Sequence, residues 1–225
     1  MNKITVTHLV DFVRKTPRGR QTLINNLKTP KEKTPDDGGG NYWISALSCL
    51  AKAFVDNSQN IIGGKIDELI DKIEFAKTKK AKDMYQGNIN ILQDFEEYDF
   101  TTIKPNAKLV FIKKNKAKSI IDIKNLPLYA MPHHVFSFEE NEIQKIGAVW
   151  FVAKKGGFKI EELAMVTDLL FRYLDVNYSN KYEIDMDYCL AVDVNSLNHI
   201  SYTPISTSEI KSPLMLTVNE MKVLM

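Results

Sequence analysis

Residues 148–152, Ala-Val-Trp-Phe-Val, are apolar at every position. Successive residues of a strand face opposite sides, so such a run has no polar face to give to water. It demands the middle of a sheet. Gly156-Gly157 ends the run, and residues 159–175 then place Ile160, Leu163, Val166, Leu170 and Leu174 along one side of a helix. Any fold of this chain must seat a central strand at 146–153 and cover one face of its sheet with that helix.

The other strand signals cluster in the same half. Residues 134–138 and 146–153 read as a hairpin across Glu139-Glu140-Asn141. Residues 189–194 and 199–203 pair across Asn195-Ser196-Leu197-Asn198, a four-residue turn. Two shorter apolar segments, 109–113 and 119–123, flank a lysine-rich turn. The first hundred residues read as helices instead. One spans 5–14 with Thr7 as a cap candidate, and a second starts at Thr16-Pro17, a favoured cap and first-turn pair. Others are expected at 42–56, 65–77 and 79–97, with breaks at 29–41 (Gly38-Gly39-Gly40) and at 57–64. The fold class is α+β: a mostly helical region over 1–98, then at 99–225 a mixed or antiparallel sheet packed against one long helix, ending in a hairpin and a tail. That tail, with Leu214, Leu216, Val218, Val223 and Leu224, is too apolar to stand in water and should dock.

The chain has 225 residues, a hydrophobic fraction of 44% and a charged fraction of 26%, which are those of an ordinary globular protein. No apolar run approaches the roughly 20 residues of a membrane helix, so no membrane partner is expected. The N-terminal residues lack a signal peptide's apolar core, and Cys49 and Cys189 stand far apart, which reads as two free thiols in the cytoplasm. The abundance of Lys, Asn and Ile points to the codon bias of an AT-rich genome, and a bacterial source is expected.

Charge is distributed in patches. Three of the four arginines, Arg14, Arg18 and Arg20, fall within seven residues, beside Lys15. Arginine grips carboxylates and phosphates with a planar fork that lysine lacks, so their concentration points to an anionic partner. That partner is either nucleic acid, held through its phosphates, or an acidic protein surface. The alternative is pairing within the chain, to the acids Asp94, Glu96, Glu97 and Asp99. Those acids crowd the C-terminus of a helix, where the backbone dipole disfavours them.

Catalytic signals are sparse. Asp122-Ile123-Lys124 resembles the acid-x-lysine half of restriction-endonuclease-like nucleases. The resemblance implies a divalent ion held by Asp122 and an upstream acid, here Asp99, with Lys124 stabilising charge near the attacked phosphate. Read as residues alone, the same three are a strand end with solvated charges. His133-His134 are adjacent, face opposite sides of a strand and have no Cys or His at ligand spacing, so no metal is expected there. One of the two should be packed and the other exposed. Gly63-Gly64-Lys65-Ile66 fails the phosphate-loop pattern at position 66, which needs Ser or Thr, and at Gln59, where the first glycine belongs. The expected function is a non-catalytic binding subunit without cofactor, contacting its partner through Arg14, Lys15, Arg18 and Arg20, in a bacterial nucleic-acid-handling or defence complex. The alternative is the metal-dependent nuclease.

Overall fold

A computed structural model describes residues 2–29, 42–114 and 118–225, and the fold is α+β. Gly38-Gly39-Gly40 lies outside the described residues. A five-stranded mixed sheet runs in the order β2 (Val110–Phe111), β5 (His134–Glu140), β6 (Ile143–Val152), β7 (Glu183–Asp193), β8 (His199–Ile200). The strand that the sequence demands at the centre is β6, third of five. It pairs antiparallel with β5 and parallel with β7. Between these two parallel strands the chain crosses over through α6 (Ile160–Tyr178).

Both sheet faces are apolar because both are covered. Ile146, Ala148, Trp150 and Val152 point to one side, where Cys189 and Ala191 join them. Leu163, Val166, Leu170 and Leu174 of α6 complete that core, as their spacing predicts, whereas Ile160, in the first turn, is exposed. Val149 and Phe151 point the other way with Phe136, Phe138, Leu190 and Val192. There they meet α3 (Ile44–Asp56), α4 (Asn60–Phe75) and α5 (Lys79–Asp94). Phe54 of α3 sits among Phe100, Phe111, Phe136 and Phe151, with ring centroids 6.0–6.3 Å apart. Buried Asn88 ties the layer together: its side chain accepts from the Ala46 amide and donates to the Tyr42 and Met84 carbonyls.

A second sheet of three strands lies on the α6 side, in the order β1 (Ile4–Thr5), β4 (Leu126–Tyr129), β3 (Ile120–Ile123). The segments 109–113 and 119–123 therefore belong to different sheets: β2 joins β5, while β3 pairs with β4. β4 contains Pro127 and gave no strand signal in the sequence. α1 (Val6–Arg14) is capped by Thr5, two residues before the cap candidate Thr7, because Thr5 accepts from the His8 amide while the His8 ring accepts from Thr5 N–H. α2 (Pro17–Lys28) starts at Thr16-Pro17 as expected. The break at 57–64 shrinks to residues 57–59, with Asn57 in the left-handed region at φ 50°, and Gly63-Gly64 lie inside α4. Burial of Ile62 anchors that first turn despite the glycines.

The hairpin β5–β6 closes on Asn141-Glu142, both left-handed, so the turn is two residues long. Gly147 meets the neighbouring strand closely: a Cβ there would lie 2.7 Å from the Tyr188 carbonyl oxygen, at an irregularity in the β6–β7 register. After α7 (Thr203–Ser206), the tail forms α8 (Leu214–Val223), which buries Leu214, Val218 and Met221 against α1 and α6. Leu216 and Val223 face outward. Both cysteines are buried free thiols, and among the described residues no helix is long and apolar enough to cross a membrane.

Candidate functional site

The arginine run divides into two internal clamps and an exposed remainder. Arg14, at the end of α1, donates from Nε and Nη2 to the two carboxylate oxygens of Glu162, at 2.7 and 2.5 Å. Nη2 also donates to the Gly157 carbonyl at 2.7 Å. Glu162 is buried in the first turn of α6 and also accepts from the Lys159 amide. Burial pushes its carboxyl up, but the Arg14 fork and the Lys159 amide outweigh that and hold it below the usual range. The same bond to Glu162 raises Arg14 in turn. Arg20 donates to Glu220 of α8 at 2.7 Å and to the carbonyls of Phe12 and Val13, and its guanidinium lies over the Phe12 ring.

These partners correct the internal-pairing alternative. The arginines pair with Glu162 and Glu220, not with the acids near residue 96. Asp94, Glu96 and Glu97 make no ion pair among the described residues. Asp99 caps the 3₁₀ turn Phe100–Ile103 by accepting from the Thr101 amide and hydroxyl.

The Arg14 clamp joins two segments. One is the α1–α2 corner; the other is the loop 153–159 that leads from β6 into α6. A second ion pair, Asp11 to Lys154, crosses the same seam. The loop turns through Gly156 and Gly157, at φ 81° and 67°, a conformation that residues with a Cβ rarely adopt. Fully buried Asp193, at the end of β7, accepts from the Phe158 and Asn195 amides and from the Ser196 hydroxyl. Asp193 and Glu162 thus hold the Phe158 and Lys159 amides, the two that lead into α6, and bring the chain's own carboxylates to that helix start. What remains outward is mainly cationic, with Glu161 as the one exposed acid in the first turn of α6 beside it. Lys15, Arg18, Lys155 and Lys159 are exposed and make no ion pair among the described residues. The sequence reading found Lys15 and Arg18 but missed Lys155 and Lys159, whose signal was the run Lys-Lys-Gly-Gly-Phe-Lys after the central strand.

The nuclease residues do not converge. The Asp122 carboxylate accepts from the Asn125 amide at 2.9 Å and closes the β3–β4 turn. Lys124 is not on the strand at all: it occupies that turn at φ 56° and donates to Asn219. Asp122 lies between Ile121 and Ile123, in the core on the α6 side, whereas Asp99 precedes Phe100 in the core on the opposite side of the large sheet. Among the described residues no group of three or more His, Cys, Asp or Glu converges as a metal site. The two adjacent histidines face apart, but both are partly buried, which corrects the expectation of one exposed ring. His134 hydrogen-bonds the Ala51 carbonyl and stacks on Phe54. His133 accepts from the Phe151 amide through Nδ1.

Compared with protein-family models, curated proteins and solved structures, the chain matches none.

Proposed function

We propose that this protein is a non-catalytic binding subunit that docks on an acidic protein surface through Lys15, Arg18, Lys155 and Lys159. The observation that carries this reading is the division of labour at the seam. Arg14 and Lys154 are consumed by Glu162 and Asp11, while the four cations beside them make no ion pair among the described residues. An exposed cation gains little from a solvated pair within its own chain, but several held on one rigid seam steer a complementary surface.

A protein surface fits this seam better than nucleic acid. Single-stranded nucleic-acid sites add exposed aromatic rings for stacking, whereas the nearest rings in sequence are Phe12, which is buried, and Phe158, which is half-buried. The net charge is only +2, without the general excess of a dedicated nucleic-acid binder.

The test compares immobilised poly-glutamate with duplex and single-stranded DNA, using the full chain and a variant with all four cations changed to Ala. The expected result is salt-sensitive retention on poly-glutamate that the variant loses, with weaker retention on either DNA. Tighter DNA binding, or poly-glutamate retention unchanged in the variant, overturns the reading.

A further inference from the structure

A cleft of about 560 Å³ opens where the end of β6 meets the starts of α1 and α3. We infer that this cleft is a binding site for a small organic anion, a carboxylate carried on an apolar body. Clefts of this size are ordinary for small ligands. Its walls are mainly apolar, with Trp150, Phe158, Met131 and Leu47 among them. Its polar lining consists of Lys114, His133, Tyr129 and three hydroxyl residues, Thr5, Thr7 and Ser48. One cation and no carboxylate stand among the described lining residues.

The donors are held ready. Lys114 Nζ donates to the carbonyls of Pro132 and His133, at 2.8 and 2.6 Å. An ammonium has three N–H groups, so one is left for a ligand. His133 accepts from the Phe151 amide through Nδ1, at 3.2 Å, which puts its proton on Nε2. No described residue bonds that Nε2. Lys114 lies close enough for its charge, after burial, to help hold the imidazole neutral. Nε2–H is therefore a second donor that stays neutral near pH 7.

Two helix starts add to this. Thr5, Val6 and Thr7 open α1, and Ile44, Leu47 and Ser48 belong to the first turns of α3. Neither helix carries an acid in its first turn, and α3 lacks a side-chain cap. Residues from both helix starts thus line a cleft that already holds an ammonium. A cation would meet only repulsion, and a purely apolar molecule would leave the Lys114 and His133 donors unpaired.

The experiment uses the full chain with benzoate and octanoate as probes and benzylamine as the control. Binding is read by tryptophan fluorescence, since Trp150 lines the cleft, and by calorimetry. The expected result is saturable binding of at least one carboxylate and none of benzylamine. Lys114→Gln should weaken binding about tenfold, the loss of one charge-assisted hydrogen bond. Ser48 is exposed, so Ser48→Trp should fill the cleft and abolish binding while the fold stands. That variant decides the question if Lys114→Gln does not fold. Absence of saturable binding by either carboxylate above about 1 mM, equal binding of benzylamine, or carboxylate binding unchanged in Ser48→Trp overturns the inference. The cleft does not involve Lys15, Arg18, Lys155 or Lys159, so failure here leaves the docking seam standing.

Discussion

Arg14 and Glu162 are 148 positions apart in the chain, and the guanidinium of the first holds both carboxylate oxygens of the second. Glu162 is buried and Arg14 is about a third exposed, so the pair is a shielded acid under a cationic lid. Removing the lid strands the acid. Arg14→Ala should cost about 2 kcal/mol, below the full penalty of an orphaned buried charge because Lys159 N–H remains bonded. Arg14→Lys should recover only part of this, since lysine cannot make the paired contact. Urea unfolding checks it, and an Arg14→Ala loss below about 0.5 kcal/mol, the level of a neutral surface change, would mean that the clamp contributes nothing.

Mild acid should destabilise the protein. His8, His133, His134 and His199 are all held below their ordinary value, chiefly by burial, with His133 brought down to about 3. Below about pH 6.5 the unfolded chain binds protons at these rings that the folded chain refuses, and for His133 this lasts down to about pH 3. Stability is therefore complete above about pH 6.5 and falls as the pH drops, by up to about 1.4 kcal/mol per pH unit for each ring. Glu162 adds a loss that begins only below about pH 4.3, its ordinary range, because its carboxyl is depressed. Denaturant titrations at pH 7.5 and 5 measure the slope, and His133→Gln should lessen it. Equal stability at the two pH values would contradict the burial of these rings.

Gly147→Ala should be among the costlier single changes. The added Cβ would press on the Tyr188 carbonyl oxygen, which is backbone and cannot swing aside. A cost of about 1–3 kcal/mol is expected, the usual range for overpacking. A melting temperature equal to that of the parent would show that the β6–β7 irregularity can shift to make room.

Asp122→Ala should cost about 1 kcal/mol, the worth of one hydrogen bond, because the carboxylate closes the β3–β4 turn. Incubation of the parent protein with duplex DNA and Mg²⁺ should give no cleavage. Cleavage that disappears in the variant would restore Asp122 to a catalytic role.

The features legible in the sequence are those whose signal is local and periodic. Residues 148–152 announced a central strand because no other setting suits an all-apolar run, and α6 declared its face through Leu163, Val166, Leu170 and Leu174. Thr16-Pro17 marked the start of α2 by its own chemistry. What stayed hidden depends on distant partners. β1 is two residues long and exists because Leu128 and Tyr129 lie beside it. Pro127 masked β4, and Gly63-Gly64 masked the start of α4, which the burial of Ile62 holds in place. The arginine cluster was visible, but not that Glu162 and Glu220 claim two of its members, since ion pairs form in space and not along the chain. The cleft was invisible for the same reason: Thr5, Ser48, Lys114 and His133 come from four separate stretches.

The contact between Arg20 and Glu220 spans 200 positions and fastens α8 over the first helices. A ribosome adding about 5–20 residues per second releases α1 and α2 roughly 10–40 s before their cover exists. Through that interval the apolar side of the nascent N-terminal helices waits in the open. Of the elements of this fold, α1 and α2 are therefore the ones that wait longest for the partner that covers them.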